Sequence, residues 1–164
     1  MKVIFGFLLS SSLFLTFLES KAYAYDFFCG STRQGVPVTM ARNVERQNFP
    51  VIYWTSNNFP GNLTPRNRCE EVSRRFQAAQ DNQQLKYITI GNMNGQQVMC
   101  TSDRVNGICL DLLFTLRPGS DPRNIIMRML DSRGLLSGRA IEQSDDQRLY
   151  INFSAYLSRI PASD

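Results

Sequence analysis

The chain has 164 residues, 18 Lys and Arg against 14 Asp and Glu, a net charge of +4, four cysteines and no histidine. The missing imidazole excludes Ser-His-Asp and Cys-His catalysis and removes the commonest transition-metal ligand. The charge is small and scattered, without the basic stripe that nucleic-acid binding uses, and the length suits one domain around one core.

Lys2 precedes an almost unbroken apolar run over residues 3–18, and Ala22-Tyr23-Ala24 is a small-x-small cleavage site. The pattern is that of a secretory signal peptide over residues 1–24, leaving a mature domain over residues 25–164. The run is short for a span, and Ser10, Ser11 and Ser12 interrupt it, so no transmembrane span is expected in the mature chain. Cys29 follows Asp26-Phe27-Phe28 rather than the small residues of a lipid-attachment site. Loss of Lys2, Lys21 and Glu19 leaves a net charge of about +3, with Lys86 the only remaining lysine.

Residues 25–30 read as a strand with Phe27 and Cys29 on one face. Val36, Val38 and Met40 alternate in a second, where Pro37 marks an edge or a strand start. Residues 43–50 read as a polar loop. Val51-Ile52-Tyr53-Trp54-Thr55, apolar on both faces, reads as a central third strand. A loop over residues 56–64 leads to the best-specified helix. There Asn67 and Glu70 have the spacing of a capping box, and Cys69, Val72, Phe76 and Ala79 recur as one buried stripe. Glu70 precedes Arg74, and Glu71 precedes Arg75, by four residues, the favourable order for ion pairs.

That helix fades near Asp81-Asn82. Residues 85–90 and 97–101 form a hairpin about Asn94-Gly95, a pair that accepts positive φ. Residues 109–116 follow as a strand whose apolar face is Leu110, Leu112, Phe114 and Leu116. Arg117-Pro118-Gly119-Ser120 breaks it. Asp121 caps a second helix with Pro122 at its first position, Ile125, Ile126, Met129 and Leu130 on its buried face, and Gly134 as its stop. A loop through Ser144-Asp145-Asp146 leads to a last strand with Leu149, Ile151 and Phe153 on one face, then a closing helical turn over residues 154–160. Three strands, helix, three strands, helix, strand, with hairpin-length links, predict an α+β single domain: a mainly antiparallel sheet with two main helices packed on it.

All four cysteines, Cys29, Cys69, Cys100 and Cys109, fall in the exported part, and an even number there reads as two disulfides. No C-x-x-C pair exists, which weighs against a metal site and a thioredoxin-like role. Three connectivities are open, and sequential pairing, Cys29 with Cys69 and Cys100 with Cys109, is favoured. A tight Asn106-Gly107 turn would set Cys109 opposite Arg104 and argue against the second pair, whereas a wider loop admits it.

Several segments together resemble one family. Phe27-Phe28-Cys29, Pro50-Val51-Ile52-Tyr53-Trp54 and Arg68-Cys69-Glu70-Glu71-Val72-Ser73-Arg74-Arg75-Phe76 carry the first half. Leu85-Lys86-Tyr87-Ile88-Thr89-Ile90-Gly91, Val98-Met99-Cys100, Cys109 and Leu113-Phe114-Thr115-Leu116-Arg117-Pro118-Gly119 carry the second. The chain resembles the cyanobacterial circadian oscillating polypeptide domain over nearly its whole mature length. The resemblance implies a secreted or membrane-associated protein of a family named for rhythmic abundance. It implies no activity, cofactor or catalytic residue.

Carboxylate chemistry is what remains for catalysis. Asp103, Asp111, Glu142, Asp145 and Asp146 are the candidate acids, but no spacing sets two of them across a cleft as glycoside hydrolysis needs. Residues 103–107 lack the acid spacing of an EF-hand and read as a turn, so no metal or cofactor is expected. Two surfaces are candidates for binding. Tyr53, Trp54 and Phe59, beside the Asn57-Asn58 loop, combine aromatics with amides, although the core or rim of the sheet explains the first two more simply. Arg66 and Arg68 stand at a helix start, where they can assist anion capture by free amides, the plainer alternative being a solvated surface.

The function expected is that of an exported, non-catalytic protein of the envelope, thylakoid lumen or medium. It would act by binding a protein or membrane-associated partner, not nucleic acid. The alternatives are a carboxylate-dependent hydrolase, marked by converging acids, and a small secreted inhibitor of a hydrolase, marked by a protruding cross-linked loop.

Overall fold

The computed structural model describes residues 25–57, 59, 61–130, 141–143 and 148–163. Residues 1–24, expected as a signal peptide, Gly134 and the Asp145-Asp146 loop lie outside the described residues, as do the side chains of Met129 and Glu142. The chain forms two antiparallel sheets rather than one. The first has the order β1 (Asp26–Ser31), β2 (Pro37–Arg42), β3 (Asn48–Tyr53). The second has the order β6 (Leu112–Thr115), β5 (Gln96–Ser102), β4 (Tyr87–Met93), β8 (Leu149–Asn152), β7 (Ile141–Gln143). The architecture is α+β and dominated by sheet.

In the first sheet β2 is central and opens on Pro37, whose missing N–H costs nothing at a strand start. The doubly apolar β3 is the outer strand of the ladder, not the central one. A bulge opposite Thr39 and Met40 pairs them with Ile52 and Pro50, which leaves Val51 as the extra residue, and Val51 and Ile52 are both fully buried. The free edge of β3 is covered from the other half of the chain: Ile52 bridges Leu130, Asn48 bridges Ser163, and Tyr156 Oη donates to Val51 O at 3.3 Å. Burial on both faces therefore does not require the middle of the sheet.

Helix α1 (Pro65–Asp81) starts two residues before the expected Asn67 cap. Thr64 Oγ1 accepts from Asn67 N at 3.1 Å, and Pro65 fills the first helical position, where an N–H would have no partner. Asn67 instead donates its side-chain amide to Asn62 O at 2.7 Å, and Glu70 pairs backward with Arg66 at 3.3 Å. Glu71 takes both Arg74 and Arg75. The buried stripe is Cys69, Val72, Ser73, Phe76 and Ala79.

This helix lies between the two sheets and caps an edge of each. Gln77 Oε1 accepts from Phe27 N of β1 at 2.7 Å, and Arg75 Nη1 donates to Leu113 O of β6 at 3.0 Å. Phe76 stacks on Phe27 at 5.3 Å between centroids and meets Phe153 at 5.5 Å, joining the halves in one aromatic cluster.

In the second sheet Asn94 and Gly95, at φ of 50° and 74°, make the two-residue turn that joins β4 to β5. The strand expected over residues 109–116 is shorter, and its inward face changes at a bulge, although Leu116 of the expected face is buried. A bulge sets Met99 opposite Phe114 and Cys100 opposite Leu112, so the extra residue Leu113 goes fully inward while Leu110, Leu112 and Phe114 are only half-buried. Helix α2 (Pro122–Met129) begins on Asp121, which accepts from Arg123 N at 2.9 Å. Helix α3 (Phe153–Leu157) is capped by Asn152. Strand β7 was not expected.

Cys29 is bonded to Cys69, tying β1 to α1, and Cys100 to Cys109. The second bond closes the wider of the two loops considered for Asn106-Gly107. Leu110 N donates to Thr101 O, and Tyr150 Oη to Gly107 O at 3.0 Å, which leaves room for the bridge. Gly91 of β4 lies flat against it: a Cβ there would stand 2.6 Å from Cys109 Sγ. Among the described residues, no helix is long and apolar enough to cross a membrane.

Candidate functional site

The exit of β3, the first turns of α1 and the segment from β6 to α2 converge on an open cleft of about 360 Å³. Its wall is set by a buried polar chain. Trp54, just past β3 and 3% exposed, donates its backbone N–H to Pro37 O and its indole N–H to Thr39 Oγ1 at 3.0 Å. Thr39 in turn accepts from Ser73 Oγ of α1 at 3.2 Å. Both hydroxyls are buried, so this chain fixes the indole relative to β2 and α1 and leaves it little freedom. Phe114 meets Trp54 edge-on at 5.7 Å, and Val72, Leu116 and Ile125 complete the apolar lining.

Two arginines stand over this surface. Arg68 donates Nε to Leu63 O at 3.2 Å and Nη2 to Ser56 O. Its guanidinium carbon lies 5.2 Å from the Trp54 ring centroid and 4.1 Å from that of Phe59. Arg117, from the turn after β6, also lies 4.1 Å from the Phe59 centroid. The two cations share one ring and stand no further apart than twice that distance. Stacking on the ring offsets part of their repulsion.

Among the described residues, no carboxylate lines the cleft and neither arginine has an ion-pair partner; Glu70 and Glu71, on the adjoining groove that shares Phe59, Arg68 and Phe114, are paired with Arg66, Arg74 and Arg75. Burial first, and the Arg117 charge second, lower the Arg68 pKa from the ordinary arginine value. The charged form of Arg68 is thus penalised here, and a bound anion would relieve that penalty. The arrangement can hold a negative group with an apolar body. It offers no general base.

Of the residues singled out by sequence, Tyr53, Trp54, Phe59 and Arg68 all line the cleft. Arg66 does not. Two positions from Arg68 on the helix, it points elsewhere, with Nη1 3.3 Å from Cys29 Sγ and Nε paired with Glu70. The anion site expected at free amides of the helix start is also not built. Pro65 has no N–H, Asn67 N is taken by Thr64 Oγ1 and Arg68 N by Thr64 O, which leaves the single amide of Arg66. The arginine side chains, not the amides, face the cleft.

The described acids lie outside it. Asp103 pairs with Arg104 at 2.8 Å, and Gln84, with its amide nitrogen turned to Asp111, donates to Oδ1 at 3.1 Å. Asp145 and Asp146 lie outside the described residues. Among the described residues, no group of three Cys, Asp or Glu side chains is placed to hold a metal ion.

Sequence reasoning missed Arg117 and Phe114. Both belong to a segment already notable as part of the family resemblance, but nothing local marks Arg117 as a partner of Arg68. No curated protein and no solved structure matches the chain. The profile of one family, described as circadian oscillating protein COP23, matches residues 26–158. With β1 through α3 inside that match, the chain belongs to the circadian oscillating protein COP23 family.

Proposed function

We propose that this protein is an exported, non-catalytic binding domain that recognises a protein or membrane-associated partner through the cleft at Trp54, Phe59, Arg68 and Arg117. The observation that carries the reading is the pairing of two guanidiniums, neither ion-paired among the described residues, with an aromatic wall held rigid by Thr39 and Ser73. A rigid apolar pocket with a few fixed polar groups is what binding sites share. Export is supported by the leader-like first 24 residues and by two disulfides, which persist outside the reducing cytosol. A non-catalytic role is supported by the missing histidine and by the absence of an acid among the described residues of the cleft lining.

The inhibitor reading has one observation of its own. Ile108 is 73% exposed on the loop closed by Cys100–Cys109, beside the Gly107 carbonyl that Tyr150 holds. An apolar side chain on so constrained a loop suits insertion into a hydrolase pocket.

One experiment separates the two. The disulfide-bonded domain, with Arg117→Gln and Ile108→Asp variants, is immobilised and exposed to envelope and secreted fractions of the source cells. The cleft reading expects a partner retained by Ile108→Asp and lost by Arg117→Gln. The reverse pattern supports the inhibitor, and retention by both variants sinks the cleft.

A further inference from the structure

The geometry points to a defined ligand for the cleft: the free carboxyl terminus of a polypeptide whose last side chain is apolar, its carboxylate between Arg68 and Arg117 and its side chain on Trp54 and Phe114. This rests on the cleft being the recognition surface. Charge comes first. Two guanidiniums held on one phenyl ring, with no acid among the described lining residues and with the neighbouring Glu70 and Glu71 paired to other arginines, leave a positive spot against apolar walls. Arg68 commits Nε and one Nη2 hydrogen to Leu63 O and Ser56 O, so the rest of its five-donor fork is available. The Arg117 side chain makes no hydrogen bond or ion pair among the described residues, so its fork is available, while its carbonyl accepts from Ser120 N at 3.1 Å. Planar forks match the planar, two-oxygen geometry of a carboxylate and bind it bidentately.

Size and polarity narrow the ligand. About 360 Å³ is near the lower bound of small-ligand pockets and suits one or two residues. An internal Asp or Glu would bring its carboxylate but no apolar group on the same residue, and would need both chain arms to leave the cleft. An inorganic anion would leave the half-buried faces of Phe114 and Ile125 uncovered. A chain end carries the charge and the apolar group on one residue. The hydroxyls of Thr55 and Ser120 in the lining can serve its backbone.

Trp54 is the protein's only tryptophan, so its emission reports on this cleft alone. The disulfide-bonded domain is titrated with an acetylated pentapeptide ending in phenylalanine, with the same peptide amidated, with octanoate and with inorganic phosphate. The acid peptide is expected to give a saturable change in Trp54 emission. Amidation is expected to weaken it at least about tenfold, since a charge-assisted hydrogen bond contributes about 1.5–3 kcal/mol.

Arg68→Gln also releases the loop held at Ser56 and Leu63, so Arg117→Gln carries the test. It should keep the wild-type melting temperature and lose about tenfold in affinity for the acid peptide. Equal binding of acid and amide, or no response to the acid peptide, overturns the inference. So does octanoate or phosphate binding as tightly as the peptide, which hands the cleft to a free anion. Partner capture that Arg117→Gln abolishes, with a peptide-silent cleft, sinks the chain-end ligand while the binding reading stands.

Discussion

Gln83 ends α1 with φ at +58°, its N–H on Gln80 O while Gln84 N reaches back to Ala79 O at 2.8 Å. This is the Schellman arrangement, and its left-handed residue is normally glycine, because a Cβ there is strained. The Gln83 side chain is exposed and makes no hydrogen bond among the described residues. Gln83→Gly is therefore expected to stabilise the domain, by about 0.5–1 kcal/mol, read as a raised denaturant midpoint at unchanged slope. The same scale explains the displaced helix start. Asn67 and Glu70 satisfy a capping-box spacing, but Thr64-Pro65 supplies a hydroxyl cap and a residue with no N–H to satisfy. Two adequate caps competed, and the one that adds a turn of helix over Arg66–Asn67 prevailed. Sequence spacing cannot rank them, because the deciding partner of Asn67 is the carbonyl of Asn62 in the preceding loop.

At the scale of elements, α1 does most of the joining. It buries one stripe, covers the edges of β1 and β6 through Gln77 and Arg75, and is fastened to β1 by Cys29–Cys69. Removing that cross-link frees 40 residues of unfolded chain, and removing Cys100–Cys109 frees 9. Chain entropy then predicts a loss of about 4 kcal/mol for the Cys29→Ala/Cys69→Ala pair and about 2.5 kcal/mol for Cys100→Ala/Cys109→Ala. Urea unfolding of the two double variants checks the order: a larger loss from the shorter loop would contradict it.

The helices and the Asn94-Gly95 hairpin were legible because their signals are local: a period, a cap, a positive-φ pair. The outer place of β3 in its sheet and the inward face of β6 were not. Each carries a bulge, at Val51 and at Leu113, and one extra residue reverses which side chains face inward without changing the composition of the run. The split into two sheets was equally hidden, since hairpin-length links specify pairing between neighbours and not where a ladder stops.

For the molecule as a whole, the cleft is assembled from three distant segments: residues 54–59 after β3, residues 68–72 of α1 and residues 114–125 from β6 into α2. Tyr53, Trp54, Phe59 and Arg68 could be chosen from the sequence by chemistry alone, as aromatics beside arginines at a helix start. Arg117 could not. Its role depends on Phe59, and that contact exists only after α1 has brought the two sheets together. The cleft and the Ile108 loop are separate surfaces, the first of paired charge and aromatic wall, the second of a cross-linked backbone.

The most direct test of where recognition happens is a chemical-shift map of the isotope-labelled, disulfide-bonded domain as the captured partner, or the acid peptide, is added. The account predicts that the Trp54 indole N–H, the Arg68 and Arg117 side-chain resonances and the Ser56 and Ser120 amides move together and saturate at one concentration. Shifts confined to residues 102–109, with the Trp54 indole and both arginines unmoved, would contradict it.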